Sequence, residues 1–174
     1  MKAHHILALI LLLASAAIGG EQASILNKLE PGLQQALLHD AACSTASTPA
    51  NETQLLQVPV RMEEIVAAGR EAGVIAAPLD ACHCDGDNCK TYVYLKAGEG
   101  YRLTLENKFA SLHPMKIAKH GLPSLSGKLQ ISAATEETTV YDWDGKRYQP
   151  SLCATVTRPK NQKLPVIARH ACNR

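Results

Sequence analysis

Apolar and polar residues alternate over KTYVYLKAGEGYRLTLEN, at residues 90–107. Alternation with a period of two predicts strands that have one buried face, and AGEG at residues 97–100 predicts the turn between them. If Lys96 pairs with Tyr101, five apolar residues share one face of this hairpin, which we expect to be core: Tyr92, Tyr94, Tyr101, Leu103 and Leu105. The other face is only partly apolar.

A second alternating segment, TTVYDWDGKRYQP, surrounds Asp144-Gly145. This dipeptide favours a two-residue type I′ hairpin. Such a turn would pair three sets of residues across the strands: Trp143 with Lys146, Asp142 with Arg147, and Tyr141 with Tyr148. We therefore expect Tyr141, Trp143 and Tyr148 on one face and an exposed ion pair between Asp142 and Arg147.

Three further segments, MKIAK, GKLQISAA and SLCATVT, have the composition of strands. Together with the two hairpins they predict an antiparallel β meander of about five to seven strands.

The chain before residue 81 differs from the rest in composition. All seven aromatic residues lie between residues 92 and 148, whereas residues 21–91 are rich in Ala, Leu, Gln and Glu. We expect one helix capped by Ser24, a second from about Pro31, and a third over RMEEIVAAGREAG that ends at Gly73. Residues 43–54 read as a loop, and LLQVPV as a short strand that Pro59 confines to a sheet edge.

The predicted fold class is therefore α+β: an antiparallel β meander with N-terminal helices, braced by disulfides. The expected organisation is a signal peptide at 1–19, a helical and loop part at 20–80 that packs on the sheet, a β domain at 81–157 and a basic C-terminal tail at 158–174.

The first residues predict export. MKAHH is a short positive start, the apolar run ILALILLLASAAI follows, and small residues come next, which is the pattern of a signal peptide. The run is short for a membrane span, so we expect a mature protein without one, in the periplasm or secreted, and of bacterial type.

The formal net charge of +2 gives no sign of nucleic-acid binding. The charge is uneven, because residues 145–174 hold seven Lys or Arg residues and no acid. This basic tail is either an ordinary solvated face or a contact for an acidic partner.

Several motifs together resemble a largely uncharacterised group of small exported bacterial proteins. The motifs are NCKTYVYLKAGEGYRLTLE, GLPSLSGKLQIS and VYDWDGKRYQPSLC, within residues 82–153. The closing hairpin also looks like those of FG-GAP-type propeller blades and of some periplasmic lysozyme inhibitors. The resemblance implies a fold and prompts an inhibitor or immunity role. Ser124 stands where blade repeats carry an aspartate, which argues against a blade-type calcium loop.

The sequence has six cysteines, Cys43, Cys82, Cys84, Cys89, Cys153 and Cys172, and three of them lie in ACHCDGDNCK at residues 81–90. In an exported protein an even number of cysteines favours disulfides. A bridge between Cys84 and Cys89 would close the turn DGDN, and we favour it. Cys82 would then pair with Cys153 or Cys43, and Cys172 would pin the basic tail to the body.

Metal binding is the alternative interpretation of the same segment. Cys82, His83, Cys84 and Cys89 could surround zinc, but the spacing lacks the two separated pairs of structural zinc sites. Asp85, Asp87 and Asn88 could bind calcium, yet they also suit a turn. We expect no metal and no cofactor.

The sequence carries no marked nucleophile, zinc-protease or phosphate-loop motif. We expect a non-catalytic binding or inhibitor-type protein with a protein partner, no nucleic acid and unknown oligomeric state. The candidate contact residues are His113, Lys119, His120, Lys160, Lys163 and Arg169. The alternatives are a secreted hydrolase or metal-dependent enzyme that uses His113, His120 and carboxylates such as Asp142 or Asp144, and a structural component of the envelope.

Overall fold

Eleven strands and one α-helix form the described part of the chain. The computed structural model describes residues 22–41, 56–160 and 163–172. The expected signal peptide, Cys43 and the loop at 43–54 lie outside these residues. Helix α1 is Pro31–Asp40, preceded by a 3-10 turn at Leu26–Lys28, and the strands are β1 (Gln22–Ile25), β2 (Pro59–Ala67), β3 (Arg70–Pro78), β4 (Cys84–Asp85), β5 (Asn88–Ala97), β6 (Gly100–Phe109), β7 (Ser111–Lys119), β8 (Leu122–Ser132), β9 (Thr135–Trp143), β10 (Tyr148–Thr157) and β11 (Val166–His170).

The strands form two sheets in which all pairings are antiparallel. The first sheet has the order β1-β2-β3-β5-β6, and the short β4 pairs with the start of β5. The second sheet is a meander with the order β7-β8-β9-β10-β11. The antiparallel arrangement is confirmed, whereas the expected five to seven strands were too few.

The first sheet is covered on both faces. Helix α1 packs on one face, where Leu37 meets Tyr92 and Tyr94, and the second sheet packs on the other, where Val93 and Leu125 meet. Because alternate side chains of β5 enter two different cores, residues 91–95 are all buried. A strand covered on both faces explains why this segment reads as an almost continuous apolar run.

The expected set of N-terminal helices is not confirmed, and the fold is mainly β rather than α+β. Ser24, the expected helix cap, lies in β1 opposite Val60. Helix α1 does begin at Pro31, where the first turn of a helix tolerates proline. Its C-terminal end is fastened to the sheet, because the Tyr94 hydroxyl donates to Asp40 Oδ2 over 3.1 Å.

The expected helix over residues 61–73 is wrong. Strands β2 and β3 occupy this segment, and Gly73 lies within β3, where a Cβ would collide with the Tyr94 carbonyl oxygen of β5. Val60 and Ile65 are fully buried in the two different cores, and this burial outweighs the helix propensity of the residues between them. The edge position expected for Pro59 is also wrong, because β2 lies between β1 and β3, and Pro59 is tolerated there as the first residue of the strand.

The β5–β6 hairpin has the expected turn but a different register beyond it. Lys96 pairs with Tyr101 and Tyr94 with Leu103, as expected, but Val93 rather than Tyr92 pairs with Leu105. Thr104 is the extra residue of a β-bulge, and its hydroxyl donates to the Val93 carbonyl over 2.9 Å. Leu105 therefore faces the second sheet, and its expected place among the tyrosines is wrong.

The β9–β10 hairpin has a four-residue loop, so the expected two-residue turn is wrong. Trp143 pairs with Tyr148, and residues 144–147 form the loop. The Asp144 carboxylate accepts the backbone N–H groups of Lys146 and Arg147 over 2.7 and 2.8 Å. These bonds to the side chain of Asp144 favour the longer loop.

The shifted register changes the partners of Asp142 but not the buried face. Asp142 accepts hydrogen bonds from Lys119 and Ser124, and the expected Asp142–Arg147 ion pair is wrong. Tyr141, Trp143 and Tyr148 all belong to the core between the sheets, as expected.

Candidate functional site

The segment ACHCDGDNCK contains a small hairpin that a disulfide closes. Cys84 in β4 lies directly opposite Cys89 in β5, and a disulfide joins them, which confirms the favoured bridge. Cys82 is also disulfide-bonded. The zinc alternative requires thiolates, and disulfide sulfurs are not thiolates, so it loses three of its four proposed ligands.

His83 holds this hairpin against helix α1. Its ring is 4% exposed, with Nδ1 2.6 Å from Asp80 Oδ1 and Nε2 2.9 Å from the Ala41 carbonyl oxygen at the end of the helix. The same Asp80 oxygen accepts the backbone N–H groups of Cys82 and His83. His83 therefore has a structural role here.

Asn88 connects the two sheets. Its Nδ2 donates to the Gln130 carbonyl over 2.8 Å, and its Oδ1 accepts the Gln130 N–H over 2.8 Å. The side-chain amide thus pairs with β8 as a neighbouring strand would. A calcium ion bound by Asp85, Asp87 and Asn88 would compete for this oxygen.

A second disulfide joins Cys153 of β10 to Cys172, as expected for a bond that pins the tail. Because Cys153 is bonded to Cys172, the expected alternative of a Cys82–Cys153 bridge is wrong. The other expected partner of Cys82, Cys43, lies outside the described residues.

The first three candidate contact residues lie on β7 and in the turn after it. His113 Nδ1 is 2.6 Å from Glu63 Oε2, and Lys119 Nζ is 2.5 Å from Asp142 Oδ2. His120 is in the turn to β8. Because β7 is bulged between Pro114 and Ala118, His113 lies opposite Ser126 and Lys119 opposite Leu122. Four strand positions, roughly 13 Å, therefore separate His113 from Lys119, and His120 lies beyond Lys119, so the two histidines are not in contact.

The other three candidate contact residues lie elsewhere on the second sheet. Lys160 and Lys163 are in the β10–β11 connection, at the end of the meander opposite the β7–β8 turn, and Arg169 is on β11. All three are exposed. The structure therefore separates the six candidates into two groups.

A cleft of about 740 Å³ lies between β6 and the inner face of β8, β9 and β10. This volume is within the range of ligand sites, roughly 300–1,000 Å³. Three elements line it: residues 103–109 of β6, a floor of Gly127, Leu129, Glu137, Thr139, Tyr141 and Cys153, and a rim of Arg147, Tyr148, Gln149 and Pro150.

The unpaired edge of β6 faces the cleft. Seven consecutive residues, 103–109, line it, although successive side chains of a strand point to opposite faces. A cavity can touch every residue of a strand only along the strand's edge. In the described part of the chain β6 pairs with β5 alone, so its second edge presents backbone N–H and C=O groups to the cleft, apart from the Lys108 N–H, which donates to Asn107 Oδ1 over 2.8 Å.

Two tyrosines and two glutamates, Tyr141, Tyr148, Glu106 and Glu137, are among the polar residues that line the cleft. Burial raises the pKa of Tyr141 and raises that of Tyr148 to about 12, so both phenols stay protonated at neutral pH. Asn107 Nδ2 donates to the Tyr141 hydroxyl over 3.4 Å across the cleft. Among the described lining residues there is no histidine, serine or aspartate, and the one cysteine, Cys153, is in a disulfide.

Several lining residues were predicted to lie in strands, but the cleft itself was not predicted. Leu105, Tyr141 and Tyr148 were expected in a core, and each belongs to or packs against the core between the sheets. The cleft arises because the second sheet lies beside β6 but forms no strand pairing with it. That relation joins residues far apart in the chain, and local periodicity contains no signal for it.

No family model matches the chain, and neither a curated protein nor a solved structure does. In the described part of the chain, no helix has the length and apolar character needed to cross a membrane. The two described disulfides and this finding are compatible with a periplasmic or extracellular protein.

Proposed function

We propose that this protein is an exported, non-catalytic binding module that captures an extended segment of another polypeptide in the cleft beside β6. The observation that carries the proposal is the unpaired edge of residues 103–109 in the cleft wall. A bound segment would add to β6 as a further strand and satisfy its backbone groups. An inhibitor would be the case in which the segment belongs to an enzyme.

The dimensions of the cleft agree with this ligand. Six steps of a strand extend roughly 20 Å, so five to seven residues of a partner could lie beside β6. Alternate side chains of that segment would point at Leu129 and Tyr141 on the floor, and the others would point to solvent. Backbone pairing would supply affinity, and the floor would select the inward side chains.

The charges at the cleft are mixed. Four charged residues line it: Glu106, Lys108, Glu137 and Arg147. Glu106 is bonded to Lys90 outside the cleft lining, with 2.5 Å between Oε1 and Nζ. A segment with both signs of charge, or with few charges, fits such a rim best.

Selection from a random heptapeptide display library tests the proposal. We expect enriched peptides that bind the purified protein, with binding weakened about tenfold or more by Leu129→Lys in the cleft floor. The matched control is Ile131→Lys on the same strand, because Ile131 is 57% exposed and does not line the cleft.

N-methylation of each backbone amide of an enriched peptide gives a second readout. Strand addition predicts that methylation abolishes binding at every other position, since alternate N–H groups face β6. Failure to enrich any peptide, equal binding by the two lysine variants, or an N-methyl profile without this alternation would contradict the proposal.

A further inference from the structure

A second unpaired strand edge lies on β11, one strand beyond β10 of the cleft. This strand pairs with β10 over five residues and is the last strand of the second sheet. All five of its side chains are exposed, so neither of its faces is covered by the described chain.

The exposed side chains of β11 and the residue before Pro165 are unusually apolar. Leu164 is 78% exposed, Ile167 is 61% exposed and Val166 is 50% exposed. Contiguous apolar residues on an open strand edge promote association with another chain, and soluble proteins usually cover or blunt them.

The charged side chains in this part of the sequence are all basic. Residues 145–174 contain no acid. Arg158 is bonded to Glu136 over 2.9 Å, whereas Lys160, Lys163 and Arg169 form no ion pair within the described residues. The cations that flank the apolar edge are thus available to an incoming acidic group.

A disulfide holds the strand in place. The bond between Cys153 and Cys172 fixes the chain just beyond β11, although β11 itself buries no side chain. A strand that is ordered before binding loses less conformational entropy when a partner docks.

From these observations we propose that β11 is a docking edge for an acidic, extended polypeptide segment, which adds to it as a sixth strand of the second sheet. Acidic side chains would pair with Lys163 and Arg169, and apolar ones would cover Val166 and Ile167. A second copy of this chain is a poorer occupant, because it would bring two basic strands together. Lipid is also poorer, because acyl chains cannot satisfy the open backbone edge. The proposal stands without the cleft function.

Two synthetic twelve-residue peptides test it: one that repeats Glu-Glu-Val-Val and one that repeats Lys-Lys-Val-Val. With this repeat, each face of the added strand carries both charged and apolar side chains, as the face of β11 with Ile167 and Arg169 requires. We expect the wild-type protein to bind only the glutamate peptide, with an affinity that falls as salt rises. The double variant Lys163→Glu/Arg169→Glu should weaken binding about tenfold or more, because it replaces attraction by repulsion. The control is Lys116→Glu/Lys146→Glu, which makes the same change in net charge on exposed residues elsewhere.

A second pair of variants tests the apolar contact. Ile167→Ser should weaken binding several-fold, and Ile117→Ser should not, although both isoleucines are 61% exposed. Hydrogen exchange should show slowed amides at residues 166–170 when the glutamate peptide binds. The cleft variant Leu129→Lys should bind this peptide as the wild type does.

Several results would overturn the proposal. The first is that the glutamate peptide does not bind, and the second is that both charge-reversal variants lose the same affinity for it. The others are dimerisation of the wild type that Ile167→Ser abolishes, and binding to vesicles of anionic lipid that depends on Ile167. The last two would assign the edge to a second copy or to a membrane.

Discussion

The link between Asn88 and Gln130 provides a test of how the two sheets are joined. Asn88→Ala removes both 2.8 Å hydrogen bonds and leaves the N–H and C=O groups of Gln130 without these partners. Each bond contributes about 1 kcal/mol net, so the expected loss of unfolding free energy is about 2 kcal/mol. With a urea m-value of about 2 kcal/mol/M, the midpoint of unfolding should fall by about 1 M with the slope unchanged.

Asn107→Ala is the matched control for this prediction. Asn107 is also an asparagine that reaches from the first sheet to the second, but its contact with Tyr141 is a single one of 3.4 Å, its other bond is an exposed one from the adjacent Lys108 N–H, and the residue is exposed. We expect this variant to lose less than about 0.5 kcal/mol. A midpoint within about 0.2 M of the wild type for Asn88→Ala, or an equal fall for both variants, would refute the reasoning. Both measurements are made with the disulfides intact.

Three further changes have defined outcomes. Ala68 has a φ of +49° in the β2–β3 turn before Gly69, a left-handed conformation that asparagine adopts more readily than alanine. Ala68→Asn should therefore stabilise the fold by about 0.5–1 kcal/mol and raise Tm, and a lower Tm would count against this turn conformation. A Cβ at position 127 would lie 2.5 Å from Phe109 Cε1, so Gly127→Ala should lower the free energy of unfolding by about 1–3 kcal/mol. Adding Phe109→Leu should offset part of this loss, because it removes the clashing ring; strictly additive losses of the two variants in urea unfolding would exclude the clash. The hydrogen bond from Arg158 lowers the pKa of Glu136 below 4.5, so the stabilising contribution of the Glu136 carboxylate is present above that pH and is lost as pH falls through the folded-state pKa. The difference in unfolding free energy between wild type and Glu136→Gln should therefore shrink in acid, and a difference that does not change with pH would rule out this contribution.

Local patterns predicted strands and turns well where one feature dominated. The turn at residues 97–100 follows from its glycines and the alternation around it, and Lys96 does pair with Tyr101. Three residues further on, the bulge at Thr104 reverses the face of Leu105. Its hydroxyl bond to the Val93 carbonyl is a tertiary detail that hydrophobic periodicity does not contain.

The β2–β3 hairpin failed as a prediction because its burial is non-local. Met62, Glu63 and Glu64 favour helix, and only contacts with α1 on one face and the second sheet on the other make a strand more stable there. A chain that reads as a surface helix can thus be an interior strand when both of its faces are covered.

The cysteine pairs show the same division between local and non-local information. The Cys84–Cys89 bridge was predictable because only the four turn-forming residues DGDN separate the cysteines. For Cys172 we expected only a bond that pins the tail to the body, without Cys153 as the partner. That this bond fixes β11 depends on the pairing of β11 with β10, which is not local in the sequence.

The two proposed surfaces follow from one physical problem, the unpaired edges of two open sheets. In the described chain β6 and β11 each have a single pairing neighbour, and each shows its open edge together with apolar side chains. Edges that serve no contact are usually blunted, because they invite aggregation. At β6 the second sheet shelters the edge within a cleft of mixed charge, which suits selective capture. At β11 like charges would oppose pairing between copies of the chain while leaving the edge open to an acidic strand. Because Leu129 affects only the first surface and Lys163 with Arg169 only the second, the two proposals can fail separately.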